Sequence, residues 1–501
     1  MKRTLVLLAL ALLIVVDAAA AQTLLRRGRG EPRMDARIDR LLERRDYRVL
    51  PADTVIAQGT TVQGPLLAAG SRLVVEGTIQ GDLIAIDANV YLRPTARIEG
   101  DVTNIAGGLY RSQNATISGE LFDAPLAPYH VERTPQEIAI VGDVEHKWVR
   151  LRPMLPIANR VQGFTPRIGA VFSLPPVNRI NTELDSWVAY GTEREGFDDA
   201  LEGGLELRLR RGFTALGLGA ERVTTTNDRW IRGDLNNTIS FLWNGKDTRN
   251  YYEARRLYGR LSRDLIRGGH TAEVWLRPQR EDARSEFTGD PWVLFDPDTF
   301  RFNPPIDDGV ISSAFLGVTG EWMGNVTAAE YDAWLEWAGR DILGSDFGFA
   351  AFSIWGEWAM KAIANHTLRF ETRFNGPLPG TDSLPRQRWL MLGGSGTLPT
   401  FDTGEFLGDR VAFLDTRYYI PLPERLRLPI VGVPDLVFQH AVGMAWTERE
   451  DRSLEQNIGA RLQFSFFHMR VMFDPSGDTD PKFSIGLSSR KNYVWRDRDR
   501  R

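Results

Sequence analysis

The sequence predicts an all-β chain: a transmembrane antiparallel β-barrel of about 16 strands, preceded by a short β-solenoid. Three observations point there. From residue 151 to the end, apolar and polar residues alternate with period two in runs of about ten, the length a tilted strand needs to cross a bilayer. Between residues 50 and 125, glycines recur 17, 19 and 19 residues apart within a repeated unit. The first residues have the layout of a secretory signal, and no other apolar run is as long, so any membrane crossing has to be made by strands.

At 501 residues, 43% hydrophobic and 25% charged, the chain has room for two or three domains and is not disordered in composition. A net charge of -4 gives it no bulk attraction to nucleic acid. The absence of cysteine removes disulfides, zinc-thiolate sites and cysteine nucleophiles together.

Taken in order, residues 1–21 read as a signal peptide: Lys2-Arg3, an apolar run from Leu5 to Val16, and Ala19-Ala20-Ala21 before Gln22. The run is shorter than the ~20 residues a spanning helix needs. Residues 22–48 form a basic, helix-prone leader with Met34, Ile38, Leu41 and Leu42 at helical spacing among arginines. In 49–125 the units Thr61-Val-Gln-Gly64, Thr78-Ile-Gln-Gly81, Arg97-Ile-Glu-Gly100 and Thr116-Ile-Ser-Gly119 are separated by short apolar alternations such as Leu83-Ile-Ala-Ile86. A β-branched residue and a glycine turn at each repeat is how a chain winds into stacked coils, and Ile79, Ile98 and Ile117 are placed to form one column of their core. A small β-sandwich with coincidental spacing is the alternative. The rhythm resembles the bactofilin-type polymer-forming fold. Residues 126–150, with Pro128 and Pro135, read as a linker.

The barrel segment is 151–501. Leu205, Leu207 and Leu209 alternate with Glu206, Arg208 and Arg210; Tyr331, Ala333, Leu335 and Trp337 alternate with Glu330, Asp332 and Glu336. Leu368, Phe370, Thr372 and Phe374 alternate with Arg369, Glu371 and Arg373. Alternation alone fits a soluble sandwich as well, because both architectures have one wet and one dry face. The signal sequence, the lack of long helices and the 14 tryptophans, many near strand ends, favour the membrane.

One stretch breaks the pattern. Leu392 to Gly408 is glycine-rich and aperiodic, a long structured loop, whereas from Asp409 the period returns to two and holds to Pro421. Gly393-Gly394, the loop through Phe401, Gly408-Asp409 and the strand from Tyr418 to Leu422 resemble the signature segment of the bacterial surface antigen superfamily, the outer-membrane assembly-factor and two-partner-secretion barrels. The resemblance extends, with weaker motifs, from Asn159-Arg-Val-Gln-Gly-Phe164, taken as a first strand, through residue 490. It implies a sixteen-stranded barrel with a loop folded into the lumen, whose tip here is Leu398-Pro399-Thr400-Phe401 in place of the family's Arg-Gly-aromatic. On the facing wall, His440 stands at or beside the place of the family's loop-binding aspartate, with Gly443 following. Both members of the family's arginine-aspartate pair are thus absent, and no polypeptide-transport-associated repeat precedes the barrel.

No catalytic residue, cofactor site or metal site is predicted. The six histidines are scattered without ligand spacing, and Ser395 sits in a turn. Asp474-Pro-Ser-Gly-Asp-Thr-Asp480 reads as an acidic hairpin turn rather than a calcium loop. The functional expectation is an outer-membrane barrel, not an enzyme, with a transport- or assembly-related role. Its partners are the lipid bilayer and, through a periplasmic solenoid, a periplasmic protein or a second copy. The alternative is a structural envelope protein whose barrel anchors a polymerising or partner-binding solenoid.

Overall fold

The computed structural model describes residues 23–487 apart from 45, 52, 135–136, 144–146, 178–179, 268–269, 296–298, 325, 341–343, 382, 429–431, 449–452 and 466. The expected signal peptide therefore lies outside the described residues. The chain divides into two compact units, 1–146 and 147–501.

The first unit is built on a solenoid of three parallel sheets. One stacks Thr61–Gln63, Thr78–Gln80, Arg97–Ile98 and Thr116–Ile117. Another stacks Arg48–Val49, Leu66–Ala69, Leu83–Ile86, Val102–Ile105 and Leu121–Ala124. In the first of these, Ile79 pairs with Ile98 and Ile98 with Ile117; Ile79 and Ile98 are fully buried among Leu66, Leu83, Val90 and Val102. The repeat glycines follow from this stacking, since a side chain at Gly100 would collide with the backbone of Gly81 in the coil before it.

The helix expected in the leader is present at Pro32–Arg44, whereas the linker and the first residues of the leader differ from expectation, for one physical reason. Alternation along Leu66–Ala69, Leu83–Ile86 and Val102–Ile105 turns Leu67, Ala69, Ile84, Ile86 and Ile105 to the outside of the coil, where water would meet a continuous apolar face. Residues predicted as a linker instead form the hairpin Tyr129–Arg133 and Glu137–Asp143, and part of the leader, Thr23–Arg29, pairs parallel with its second strand. The helix Pro32–Arg44 brings Ile38 into the same cluster, with Met34, Leu41 and Leu42 packed on it. Asp35 ties these pieces together: it lies 3.0 Å from Arg26 and accepts from the Tyr129 hydroxyl at 2.9 Å, while burial pushes its carboxyl up from the ordinary value.

The second unit is a single antiparallel sheet of sixteen strands in sequence order. Its wall strands are β1 (Val149–Asn159), β2 (Gly163–Val177), β3 (Ile180–Tyr190), β4 (Leu201–Arg211), β5 (Thr214–Thr225) and β6 (Tyr252–Arg267). Next come β7 (His270–Ser285), β8 (Gly309–Met323), β9 (Thr327–Ala338), β10 (Phe349–Lys361) and β11 (Thr367–Pro377). The last five are β12 (Arg410–Pro421), β13 (Asp435–Trp446), β14 (Glu455–Gln463), β15 (Phe467–Phe473) and β16 (Lys482–Leu487). β11 pairs directly with β12, so the whole segment between them stands off the wall. Leu390–Leu392 belongs to that segment and not to the wall, which leaves eleven strands before it and five after.

Asn159 to Phe164, expected as a first strand, is the junction of two: Asn159 ends β1, 160–162 form the turn, and Gly163 and Phe164 open β2. The Asn159 carboxamide oxygen accepts from the N–H groups of Val161 (2.9 Å) and Gln162 (2.8 Å), and Gly163 takes the left-handed φ of +68° that closes it. Connections at the end where β1 begins are mostly short, as at 212–213 between β4 and β5, the exception being 422–434 between β12 and β13; at the other end they include 226–251, 286–308 and 378–409.

The faces of the wall divide as the alternation predicts. Leu205, Leu207, Leu218, Leu261, Leu276, Leu316, Leu335, Ile354, Phe374, Phe438 and Ile458 are exposed on β4 to β11, β13 and β14, with Trp322 and Trp358 near one end and Tyr190 and Trp337 near the other. Inward residues pair their charges: Arg210 with Asp264 (2.6 Å), Arg256 with Glu281 (2.6 Å) and Glu221 (3.0 Å), Arg260 with Glu273 (3.0 Å), and Arg369 with Glu357. No helix among the described residues is long and apolar enough to cross a membrane.

Candidate functional site

The segment between β11 and β12 enters the bore. A short antiparallel ladder, Leu390–Leu392 with Phe406–Gly408, forms its stem, and residues 393–405 form its tip. The tip needs two consecutive glycines: Gly393 and Gly394 have φ of +102° and +82°, and side chains there would meet the Asp402 carbonyl and Thr403. Thr397 closes the turn, its hydroxyl accepting from the Gly393 N–H at 2.9 Å and donating to the Gly393 carbonyl at 3.1 Å.

Contacts on one side of the bore are apolar with a polar clasp. Leu390, Leu392, Leu398 and Phe401 pack with Val411 and Phe413 of β12 and Ala441 of β13, and Phe401 meets Phe406 edge-on at 5.1 Å. The Thr400 N–H donates to Asn457 Oδ1 at 3.0 Å, and Asn457 Nδ2 donates to Thr400 Oγ1 at 2.7 Å, so this one β14 side chain satisfies both groups at the tip. Arg470 of β15 donates to the Ser395 carbonyl at 3.1 Å. Gly443 lies beneath the stem, where a methyl group would come within 2.9 Å of Leu392 and 3.0 Å of Phe413. At the base, Asp409 is fully buried and its carboxylate accepts from the Leu384 N–H at 3.3 Å, while Gly408 passes too close to the Trp446 backbone to bear a side chain.

The other side is held by charge. Arg388, immediately before the stem, makes a bidentate pair with Glu336 of β9 (2.8 and 2.9 Å) and a third bond to Glu281 of β7 (3.0 Å). All three side chains are at least nine-tenths buried. Glu281 is shared with Arg256, and Glu336 also accepts from the Ser313 hydroxyl at 2.8 Å. One segment thus touches β7 and β9 on one flank and β12 to β15 on the other, which requires the sheet to curl around it.

Two further connections close over it from the long-loop end. In 226–251, the Trp230 ring meets Phe413 at 5.6 Å, Arg232 donates to the Ser395 hydroxyl at 2.5 Å and Asn227 to the Gln387 carbonyl at 2.5 Å. In 286–308, Asp307 accepts from the Arg386 N–H and its carbonyl from Gln387, both at 2.9 Å. Arg160, with no exposed side-chain surface, joins the two by bonding the Arg249 carbonyl (2.5 Å) and Asn303 (3.1 Å).

His440 does not face the loop. It pairs in register with Thr416, on the face opposite Asp415, and its ring points outward with its Nε2 3.4 Å from Gln456 Oε1; the inward neighbours are Gln439 and Ala441. Asn457, which sequence reading did not single out, is the wall residue that meets the tip, and Arg388, also not singled out, ties the segment's other flank to β7 and β9. Among the described residues, no group of three or more His, Asp or Glu is placed to hold a metal ion. Asp474 accepts from the N–H groups of Ser476, Asp478 and Thr479 and from the Ser476 hydroxyl at 2.6 Å, which makes its segment a capped hairpin turn.

Fold and bore contents define a class: a sixteen-stranded antiparallel barrel with an inward loop across its lumen. Solved structures found to be similar are CdiB from Escherichia coli (13% identity, TM-score 0.41, covering 72% of this chain and 66% of that one) and CdiB from Acinetobacter baumannii (12%, 0.38, 72% and 65%). A third is BamA from Haemophilus ducreyi lacking POTRA domains 1-3 (10%, 0.42, 72% and 75%). The matched region spans just under two thirds of either CdiB chain. No protein-family model matches the chain, and no curated protein does.

Proposed function

We propose that this chain is an outer-membrane barrel with a transport- or assembly-related role, gated by displacement of the segment between β11 and β12, with its solenoid in the periplasm as a docking platform for a partner. The membrane placement rests on the exposed apolar side chains that recur on strand after strand, a surface too large to leave in water. The orientation rests on the short turns at the end where β1 begins, the pattern of the periplasmic face. The observation that carries the gating role is that the contacts holding the plug to the wall run through wall side chains, chief among them Glu336 and Glu281 with Arg388 on one flank and Phe413 with Phe401 and Asn457 with Thr400 on the other.

The cysteine-free chain offers a direct test. Thr400→Cys with Asn457→Cys should cross-link the tip to β14. In planar bilayers the oxidised protein should be silent, and reductant should restore intermittent conductance at least as frequent as the parent's, since the substitution also removes the Asn457 bonds. No conductance in either state would instead support the second reading, a barrel that only anchors the solenoid. What favours that reading is the last coil, where Thr116–Ile117 is the edge strand of its sheet among the described residues and so offers a second chain a strand to pair with.

A further inference from the structure

The outward face of the wall carries a dent of about 730 Å³ across β3 to β8, toward the long-loop end. Large and small side chains alternate there. Leu207, Leu218 and Leu257 form its sides, while Gly259, Pro278 and Ser312 form its floor. Arg280 also lines it, outward because it pairs in register with exposed Leu257.

Arg280 is unlike its neighbours. Two to four residues further along β7, about 7 to 13 Å nearer the long-loop end, the outward arginines are neutralised: Arg222 and Arg255 by Glu253 (2.8 and 2.9 Å), Arg284 by Asp282 (2.9 Å). Arg280 has only the Ser312 hydroxyl at 3.3 Å, and among the described residues no carboxylate lies within ion-pair distance of it. An exposed guanidinium below a charged rim and above an apolar belt is costly in hydrocarbon unless something anionic reaches it.

We infer that this dent is a binding site for one phosphate-bearing lipid of the leaflet at the long-loop end. An acyl chain lies along Gly259 and Pro278 between the leucines, and the phosphate accepts from Arg280. The inference rests on the membrane reading above. Arg280 supplies charge-assisted donors, and the groove supplies a shape that a free anion does not need.

The test is native mass spectrometry of the full chain in detergent, titrated with lipid A, with diacylglycerol as the uncharged comparison. One equivalent of lipid A should be retained. Arg280→Gln should weaken retention about tenfold, the weight of one charge-assisted hydrogen bond. Gly259→Leu, which fills the groove without altering charge, should weaken it similarly. Arg263→Gln, outward on β6 toward the other end, should leave it unchanged, and every variant should keep heat-modifiable migration on a gel. Equal retention by Arg280→Gln, equal retention of diacylglycerol, or displacement of the lipid by inorganic phosphate would overturn the proposal. Absence of the protein from outer membranes would sink the membrane reading; presence there without lipid retention sinks only this one.

Discussion

Removing the Arg388 side chain is the sharpest perturbation of the plug. Arg388→Ala deletes three bonds to carboxylates and one to the Tyr252 hydroxyl and leaves Glu336, itself buried, with only the Ser313 hydroxyl among the described residues; Glu281 keeps Arg256. Breaking a buried pair by removing one partner costs about 3 to 5 kcal/mol, because the remaining charge is uncompensated. Most of that cost falls on the docked state, since an undocked segment lets water reach Glu336. The undocked fraction should therefore rise roughly a hundred-fold or more, at one decade per 1.4 kcal/mol. Single-channel recording should show this as frequent long openings where the parent shows rare brief ones. Replacing both partners with apolar residues, Arg388→Met with Glu336→Leu, removes the stranded charge and should return the channel toward quiet. A folded, heat-modifiable Arg388→Ala barrel with parental gating would refute the account, and so would a double variant as leaky as the single one.

Four shorter predictions follow from other parts of the molecule. Asn457→Ala should loosen the tip alone and increase brief conductance flickers, whereas His440→Ala, on the outward face, should change nothing in the same recordings. Leu207→Arg, outward between Leu184 and Leu218, should lower barrel stability by about 2 to 4 kcal/mol if near the midplane, and Arg208→Leu by less, as read from denaturant unfolding in detergent. Ile98→Asp puts an unpaired carboxylate into the solenoid core and should abolish protease resistance of residues 48–124 while heat-modifiable migration persists. In the 474–479 turn, the Ser476 hydroxyl and the backbone N–H bonds hold the Asp474 carboxyl below its ordinary value of 3.8. Protection of the Ser476, Asp478 and Thr479 amides should therefore be complete above pH 3.8, fade as the pH falls through the lowered value, and vanish at all pH in Asp474→Ala.

What the sequence made legible was whatever rests on local periodicity. The two-residue alternation gave the strands and their faces, and the break at Gly393-Gly394 gave the loop, because only glycine tolerates φ near +100° beside the Asp402 carbonyl. Long-range pairing was not legible. Arg388 bonds carboxylates 52 and 107 residues earlier, and nothing near Pro385-Arg-Gln-Arg388 marks it apart from Arg386, which faces elsewhere. His440 shows a subtler failure: alignment to a motif put it on the inner wall, while one count of alternation from the register partner Thr416 would have put it outside. The docked leader was foreshadowed by the apolar stripe of Met34, Ile38, Leu41 and Leu42, whose counterpart is the outward face of Leu67, Ile84 and Ile86.

The direct pairing of β11 with β12 gives the plug an unusual mechanical independence. Thr367 to Asn375 are matched to Tyr419 back to Val411, so the segment leaves the wall and returns to it at adjoining points, and no wall hydrogen bond runs through it. A bore built this way can be emptied without being dismantled. Whatever dislodges the segment works only against the contacts across the lumen, and a cut between residues 393 and 405 would loosen the stopper while the vessel around it stayed whole.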